Sequence, residues 1–285
     1  MEKGGVPVVA LGSSSSTLAA PKPFVKWVGG KRQILDDIRR HVPKVFERYY
    51  EPFLGGGAVF FDLRPAQAFL MDSNERLIRA YRGVREDVDA VIRLLKSFYA
   101  LHSKDFFLEM RARKDLDGAT PAELAAWFIY LNRTGYNGLY RVNSRNIFNV
   151  PFGAYKNPTI CDETNLRACA ATLRGAKLQC CGFEAVLKRA RKGDFVYFDP
   201  PYVPLTATSN FTDYTREGFG DADQVRLRDV ASELKSKGVF VLLSNSSSRR
   251  VRDLYKGFDQ IRVSARRSVN SRPEGRGPVQ ELLIK

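Results

Sequence analysis

A carboxylate, two prolines and an aromatic ring follow directly after a short apolar run in the second half of the chain. The run Phe195–Phe198 predicts a buried strand, and the residues after it are Asp199, Pro200, Pro201 and Tyr202. Because proline has no N–H and holds the preceding residue extended, the strand must end with the Pro200 carbonyl beside the Asp199 carboxylate. Two acceptors and a flat ring suit a planar base that carries an amino group. The alternative is a strand that ends in an ordinary proline-rich turn.

A glycine-rich turn, residues 55–57, is the second candidate site. It follows a predicted strand over residues 48–53 and precedes a predicted helix over 58–64. A second strand over 68–71 then ends at Asp72, and this order opens a doubly wound α/β sheet. Glycines let a ligand approach the backbone closely, and Asp72 could accept hydrogen bonds from two ribose hydroxyls. The pattern favours an adenosine-containing ligand at this sheet edge, although a tight turn beside a solvated acid would show the same residues.

The composition indicates a folded, basic protein. The chain has 285 residues, of which 44% are hydrophobic, so it can bury the core of one large domain or of a domain with an insertion. Lys and Arg number 46 against 31 Asp and Glu, which gives a net charge of +15. That excess favours a polyanionic partner, although a merely soluble basic protein would have the same charge.

Metal, disulfide and membrane chemistry are not expected. The chain has four cysteines and two histidines, without a CxxC motif or a histidine near a cysteine. Reduced cysteines are typical of a cytoplasmic protein, and the longest apolar runs, such as residues 239–243, are too short to cross a bilayer. We interpret residues 1–20 as a flexible N-terminal arm.

The sequence predicts one α/β sheet interrupted by an inserted module. Further strands are predicted at residues 178–181 and 238–243, and a C-terminal hairpin at 260–265 and 279–284. The predicted units are a sheet-forming domain of residues 21–72 and 166–285 and an inserted domain of residues 73–165. Within the latter, residues 75–130 have helical periodicity. Residues 131–160 are rich in aromatic, Asn, Gly and basic residues and contain no Asp or Glu.

Two lysines lie near the start of a helix predicted over residues 30–40. Lys26 and Lys31 are unfavourably placed there unless an anion neutralises them, because a helix N-terminus carries partial positive charge. A carboxylate of a bound ligand or a DNA phosphate would explain them, and a solvated basic face is the alternative.

Taken in order along the chain, these motifs resemble those of the Dam-type (alpha-group, D12 class) DNA adenine-N6 methyltransferases. The resemblance runs from about residue 23 to the C-terminus. Several colinear motifs are far more specific than any one of them. The matching segments are KWVGGK (26–31), EPFLGGG (51–57), LNRTGYNGL (131–139), FNVPFG (148–153), DPPY (199–202), NFT (210–212), RSV (267–269) and ELL (281–283).

The resemblance implies an adenine-specific DNA methyltransferase that uses S-adenosyl-L-methionine, releases S-adenosyl-L-homocysteine and needs no metal. It implies that residues 21–72 and 166–285 form a catalytic, cofactor-binding domain with a Rossmann-like sheet and an antiparallel C-terminal hairpin. It also implies that the insertion, residues 73–165, is a mainly helical target-recognition domain that binds DNA. It assigns catalysis to Asp199, Pro200, Pro201 and Tyr202. It assigns cofactor binding to Trp27, Lys31, Phe53, Gly55, Gly57, Asp72, Phe183 and Asp199. It assigns DNA binding to Lys26, Arg133, Tyr136, Asn137, Leu139, Arg141, Asn143, Pro151, Tyr155 and Lys156.

Methyl transfer to a base requires that the target adenine is flipped out of the duplex. Tyr136 is a candidate wedge for the gap, or alternatively a tyrosine packed under a hairpin. Arg141 could read a guanine edge, or alternatively contact a phosphate. The best-known target of the family is GATC, and the sequence departs from the family pattern at Tyr140, Val142 and residues 273–277. We therefore expect GATC or a related short site.

Double-stranded DNA is the expected partner, and a cognate restriction endonuclease is compatible with the family. A monomer is expected rather than an obligate oligomer, in the bacterial, archaeal or phage-infected cytoplasm with the nucleoid. An RNA-directed or cytosine-N4 amino-methyltransferase would share the cofactor site, and a non-catalytic DNA-binding module would keep the basic insertion. Residues 249–276 contain nine basic and three acidic residues and form either a phosphate-tracking face or a solvated surface.

Overall fold

A seven-stranded sheet forms the centre of the protein in a computed structural model, which describes residues 19–203, 219–266 and 278–285. The order across the sheet is β3-β2-β1-β4-β5-β7-β6. Strands β1 to β5 are all parallel to one another, whereas β7 lies between β5 and β6 and is antiparallel to both. The predicted α/β sheet with an antiparallel C-terminal hairpin is thereby confirmed. The strands are β1 (Tyr49–Glu51), β2 (Ala68–Asp72), β3 (Ala176–Cys180), β4 (Phe195–Phe198), β5 (Phe240–Ser246), β6 (Gln260–Arg266) and β7 (Pro278–Ile284).

Helices cover the sheet and build the region between β2 and β3. They are α1 (Leu35–His41), α2 (Ala58–Leu63), α3 (Glu75–Glu86), α4 (Val88–Ala100), α5 (Lys104–Ala112), α6 (Pro121–Thr134), α7 (Glu163–Leu173), α8 (Asp221–Ser236) and α9 (Arg249–Leu254). Helix α6 is buried around most of its circumference and starts with a capping box, in which Thr120 and Glu123 satisfy each other's backbone N–H. Its burial makes it the central helix of this region.

The helix predicted over residues 30–40 is divided in two. A 3₁₀ turn at Lys31–Gln33 is followed by α1, with Ile34 at φ −113° and ψ 15° between them. Lys31 and Ile34 are both buried, at 4% and 1% exposure. A 3₁₀ turn places residues three apart on the same side, so it directs both side chains inward. The sequence prediction of one continuous helix was wrong for this reason.

Strand β5 extends three residues beyond its predicted end. The additional residues are Ser244, Asn245 and Ser246, all of them buried. The sequence prediction ended the strand before these polar residues, but two of them have buried partners. The Ser244 hydroxyl lies 2.7 Å from the Tyr197 hydroxyl, and the Asn245 side-chain amide donates to the Gln224 side-chain oxygen. Burial of these groups is tolerated because they are hydrogen-bonded.

One hydrophobic core joins the two predicted domains. The largest buried cluster contains Phe24 and Leu70 from the predicted catalytic segments together with Leu77 and Ile129 from the predicted insertion. Helix α3 packs on the sheet, and Arg82 and Arg85 donate to carbonyl oxygens of β3 at 3.1 Å and 2.9 Å. The boundaries of the target-recognition domain at residues 73 and 165 therefore stay a prediction.

Several sequence-based predictions concern residues outside the described ranges. These are nearly all of the N-terminal arm and the segments 210–212, 267–269 and 273–277. Within the described part of the chain, no helix is long and apolar enough to cross a membrane. The same residues contain no group of three or more His, Cys, Asp or Glu side chains that could hold a metal ion.

Candidate active site and DNA-facing surface

The three predicted acid and glycine segments meet at one edge of the sheet. Strand β1 pairs in parallel with β2 on one side and with β4 on the other. Their carboxyl ends therefore lie side by side, and they lead into the glycine turn, Asp72 and Asp199 respectively. The chain order reverses between β1 and β4, and ligands of doubly wound sheets bind in the crevice at such a switch point.

Asp199 forms an ion pair with Lys31. The Lys31 Nζ lies 2.7 Å from Asp199 Oδ1, and the two side chains are 4% and 20% exposed. The same ammonium group donates to the Gly29 carbonyl and lies 4.6 Å from the centre of the Tyr202 ring. The sequence predicted an anion of a ligand or of DNA beside this lysine, whereas the structure pairs it with a carboxylate of the protein itself.

Burial dominates the ionisation of Asp199. It raises the pKa of this carboxyl to about 6, against the opposing effect of Lys31 and with a further increase from the charge of Glu281. At neutral pH the group is therefore still largely ionised. A carboxylate with a raised pKa at the end of a central strand is typical of a functional site.

Glu51 is a second buried carboxyl near this pair. Its side chain is 2% exposed, and its Oε2 accepts a hydrogen bond of 2.8 Å from the Tyr49 hydroxyl. Burial raises the pKa of Glu51 to about 8, with a further increase from the charge of Asp199 and a decrease from Lys31. Glu51 belongs to the EPFLGGG motif (51–57), but the sequence predicted no role for it. A strand of only three residues is too short for its residue pattern to show that Glu51 is buried.

The glycine turn is shaped by two aromatic side chains. Gly55 and Gly57 have φ angles of +46° and +66°, which side chains rarely adopt. A Cβ atom on Gly55 would lie 2.6 Å from Trp27, and one on Gly57 would lie 2.9 Å from the Tyr81 hydroxyl. That hydroxyl also donates to the Gly55 carbonyl at 3.1 Å. The glycines are therefore required by protein packing, in addition to any approach of a ligand.

Asp72 holds the glycine turn from the end of β2. Its Oδ2 accepts from the Gly55 N–H at 3.0 Å, and its Oδ1 accepts from the Asn74 N–H at 2.9 Å. Burial raises the pKa of Asp72, and these two backbone donors oppose the shift. Each oxygen has one backbone donor and keeps lone-pair capacity for a further donor. The arrangement is compatible with the predicted ribose contact.

An aromatic cluster adjoins the turn. The rings of Phe53 and Phe183 are stacked with centroids 5.4 Å apart, and Phe219 meets them edge-on at 5.6 Å and 5.9 Å. Phe219 was not among the sequence candidates, because it belongs to no recognised motif. Trp27, which packs against the turn, is stacked with Tyr140 at 5.9 Å and Phe128 at 6.4 Å.

An exposed turn presents the first group of predicted DNA-binding residues. Tyr136, which is 51% exposed, lies in the 3₁₀ turn Tyr136–Gly138, and Asn137 adopts a φ of +54° there. The alternative of a tyrosine packed under a hairpin is therefore not what is observed. Leu139 is half-buried next to this turn, whereas Pro151 and Lys156 are exposed.

A small hairpin presents Arg141 and Asn143. Val142 and Phe148 form its antiparallel bridge. The Arg141 guanidinium donates to Asn149 through Nε at 2.8 Å to the side-chain oxygen and through Nη2 at 3.3 Å to the backbone oxygen. The Asn143 side-chain oxygen accepts from the N–H groups of Arg145 and Ile147, both at 3.0 Å. Asn143 therefore orders the hairpin tip, which sequence reasoning did not foresee.

Two more of the predicted DNA-binding cations, like Arg141, make contacts within the protein. Arg133 donates through Nε at 3.2 Å and Nη2 at 2.8 Å to the carbonyl of Phe24, and burial lowers its pKa. The Lys26 ammonium lies 5.0 Å from the centre of the Tyr155 ring, and burial followed by the charge of Arg133 lowers the pKa of Lys26. Their DNA contacts stay predictions, and Arg133 has a structural contact that competes with one.

Comparison with known proteins gives one consistent result. A family model described as D12 class N6 adenine-specific DNA methyltransferase matches residues 27–269. The Type II methyltransferase M1.LlaDCHI of Lactococcus lactis subsp. cremoris is 45% identical over 269 residues, covering 92% of this chain and 94% of that protein. M.MjaIII, a Type II methyltransferase of Methanocaldococcus jannaschii, is 42% identical over 283 residues, with coverages of 92% and 98%. A DNA adenine methylase of Haemophilus influenzae is 39% identical over 266 residues, covering 92% of each chain.

Proposed function

Since the chain belongs to the D12 class of N6 adenine-specific DNA methyltransferases, we propose that it uses S-adenosyl-L-methionine to methylate a flipped adenine within GATC or a related short site. The family membership makes it an adenine-specific DNA methyltransferase and favours DNA adenine over the RNA and cytosine-N4 alternatives. The methyl donor, the target sequence and the residue roles are the finer parts of the proposal.

The observation that carries the proposal is the position of the Lys31–Asp199 pair. It lies at the carboxyl end of β4, next to the glycine turn and Asp72 at the ends of β1 and β2. In this proposal Asp199 would bind the amine and Asp72 the ribose within one crevice. This is the arrangement that transfer between a nucleoside-containing donor and an amino group requires.

The residues at this edge fit S-adenosyl-L-methionine. Asp72 keeps acceptor capacity for ribose hydroxyls, and the Phe53 and Phe183 rings offer an apolar surface to an adenine. Trp27, Gly55 and Gly57 would line the rest of the site, with Lys31 and Asp199 at its far end. When bound, the donor supplies an electrophilic methyl group on a sulfonium.

Asp199 and the Pro200 carbonyl would bind the two hydrogens of the adenine N6 amine. The lone pair of this nitrogen is delocalised into the ring, and hydrogen bonds from both N–H groups favour a pyramidal nitrogen with an available lone pair. These bonds strengthen as positive charge develops on the nitrogen, so they stabilise the transition state more than the ground state. The methylated nitrogen would then lose one proton, which would pass by Asp199 to water. Lys31 occupies Asp199 Oδ1, which leaves Oδ2 for the amine. Tyr202 would stack on the base, and Pro201 fixes the turn between them.

The exposed turn and hairpin would hold the duplex. Tyr136 is exposed enough to fill the gap left by a flipped base, whose extrusion costs a few kcal/mol. Asn149 holds the Arg141 guanidinium at the hairpin base, and this exposed side chain would read a base edge. Asn137, Leu139, Asn143, Pro151, Tyr155 and Lys156 would add contacts around these two.

Base-resolved methylation mapping of DNA exposed to the purified protein tests the proposal. We expect N6-methyladenine in one short sequence context, dependent on S-adenosyl-L-methionine. The Asp199→Ala variant should stay folded and transfer no methyl group, whereas Asp253→Ala, at an exposed acid of α9, should retain full activity. Methylation of cytosine or RNA, or normal turnover by Asp199→Ala, would contradict the proposal.

A cognate endonuclease and a monomeric state are further parts of the proposal. Two of the relatives are named Type II methyltransferases, which supports a restriction–modification context, whereas others are named DNA adenine methylases. Action on chromosomal or phage DNA would place the protein in the cytoplasm. Sedimentation with and without a duplex would determine how many copies bind one site.

A further inference from the structure

The loop of residues 199–203 accepts hydrogen bonds from, or donates them to, side chains of three elements outside the DPPY motif. From α8, the Gln224 side chain donates to the Pro201 carbonyl at 2.9 Å. From β5, the Asn245 side-chain oxygen accepts from the Val203 N–H at 3.3 Å. From β7, Glu281 Oε2 accepts from the Tyr202 hydroxyl at 2.8 Å. These hydrogen bonds fix the Pro201 carbonyl, the Tyr202 hydroxyl and the Val203 N–H, which belong to three successive residues.

Gln224 and Asn245 form a buried pair. They are 2% and 0% exposed, and the Asn245 amide donates to the Gln224 side-chain oxygen at 3.1 Å. The Asn245 oxygen also accepts from the Ser246 N–H at 2.8 Å. A buried polar network whose members are satisfied makes its surroundings rigid. The backbone behind Tyr202 is therefore held in one position.

Glu281 completes the support at the ring itself. Its position in β7 is set by register, because it pairs with Ser246 of β5 and Val263 of β6 in the antiparallel hairpin. The Tyr202 ring has the Glu281 carboxylate at its hydroxyl and the Lys31 ammonium 4.6 Å from its centre. A hydrogen bond to an ionised acceptor is stronger than a neutral one, so it orients the ring effectively.

The geometry points to Glu281 as a positioning residue for the target-base pocket: it fixes the Tyr202 ring and adds a second negative charge beside Asp199. This inference rests on the proposed function, because it assigns Tyr202 to the base. Glu281 does not touch the base itself. Its charge would favour the positive charge that develops on N6, while its hydrogen bond would keep the stacking surface in place.

The electrostatics of Asp199 agree with this role. Among the described residues, Asp199 interacts with Lys31, Glu51, Glu281 and the hydroxyls of Tyr49, Tyr197 and Tyr202. After burial and Lys31, the charge of Glu281 contributes to the pKa of Asp199 and raises it. Removing that charge while keeping the shape should therefore lower the pKa of Asp199.

Two variants separate the charge of Glu281 from its hydrogen bond. Glu281→Gln keeps an acceptor oxygen and loses the charge, so we expect a slower single-turnover methylation rate and an acid limb of the pH–rate profile at lower pH. Glu281→Ala loses both, and its rate should fall roughly tenfold or more. Combining Glu281→Ala with Tyr202→Phe should cost little more than the larger single effect, because both remove the same bond.

Glu233→Gln is the matched control. Glu233 lies on α8, 51% exposed and paired with Lys237 at 2.6 Å, so its variant should keep the rate and the pH profile of the natural protein. A Glu281→Gln profile that coincides with that of Glu233→Gln, or additive losses for Glu281→Ala and Tyr202→Phe, would overturn the inference.

A measurement on the free protein distinguishes this outcome from failure of the proposed function. With tyrosines labelled at Cζ, and Tyr202→Phe to assign the signal, the Tyr202 resonance should shift in Glu281→Ala and stay unchanged in Glu233→Gln. If it shifts but the natural protein methylates no DNA, the hydrogen bond stands and the proposed function fails. If the natural protein methylates DNA and Glu281→Ala leaves both the resonance and the rate unchanged, the positioning role fails alone.

Discussion

The side chain of Asn132 binds both backbone groups of Lys26. Its oxygen accepts from the Lys26 N–H at 2.7 Å, and its nitrogen donates to the Lys26 carbonyl at 2.9 Å and to the Gly138 carbonyl at 2.8 Å. Asn132 is completely buried. It thus connects the segment that contains Trp27 and Lys31 to the turn that presents Tyr136, and so joins the candidate cofactor and DNA sites.

This connection predicts a large loss of stability for Asn132→Asp. The carboxylate cannot donate, so the carbonyls of Lys26 and Gly138 would face a buried negative charge. We expect the free energy of unfolding to fall by about 3 kcal/mol, measured by urea denaturation. Asn143→Asp is the control, since Asn143 uses only its oxygen as an acceptor, and it should change stability by less than about 0.5 kcal/mol. Equal effects of the two variants would contradict the role of Asn132.

The pKa of Asp199 predicts the acid side of the activity profile. Because burial raises this pKa to about 6 and the carboxylate is the form that accepts from the amine, kcat/KM should be constant above that pH and fall below it. The fall should be roughly tenfold per pH unit. Initial rates of methylation between pH 5 and 8 would show it.

Lys31→Met supplies the matched test of that assignment. Lys31 lowers the pKa of Asp199, so its removal should move the acid limb to higher pH, opposite to the shift expected for Glu281→Gln. A limb that stays in place in both variants would mean that another group controls the profile.

The contact between α3 and α6 predicts that Gly83→Ala is destabilising. A Cβ atom on Gly83 would lie 2.1 Å from the Pro121 carbonyl oxygen and 2.8 Å from the Ala125 Cβ. Alanine ordinarily stabilises a helix by about 1 kcal/mol relative to glycine, but overpacking against backbone should reverse the sign and cost about 3 kcal/mol in unfolding free energy. Gly118→Ala has no atom within 4 Å of its Cβ and should be nearly neutral in the same thermal or urea measurement. A stabilised Gly83→Ala would show that the helices do not approach this closely.

The hairpin predicts a change of specificity for Arg141→Ala. Loss of a base-reading side chain should remove about 1–3 kcal/mol of discrimination at one base pair of the target. Methylation rates on duplexes that each differ at one position would measure it. Lys156→Ala, at an exposed cation, should instead weaken all duplexes equally and reduce the salt dependence of binding. A uniform loss for Arg141→Ala as well would make that arginine a phosphate contact.

Local patterns were enough to predict the main strands, because turn chemistry and apolar runs act over a few residues. The prolines after β4 ended that strand as expected, whereas β1 covers only Tyr49–Glu51 and so ends two residues before its predicted end. The parallel order brought the ends of both strands together. The divided helix near Lys31 and the polar end of β5 were missed. Both depend on burial of polar groups against distant partners, which periodicity does not show.

By itself, the sequence determined the sheet, the class of enzyme and the residues that could do its chemistry. The tertiary structure decided what each side chain contacts: Lys31 meets Asp199, Arg133 turns inward to Phe24, and Glu281 meets Tyr202. The physical reason is that the charge state and orientation of a buried side chain depend on groups far away in the chain. Only the closed fold brings those groups within hydrogen-bonding distance.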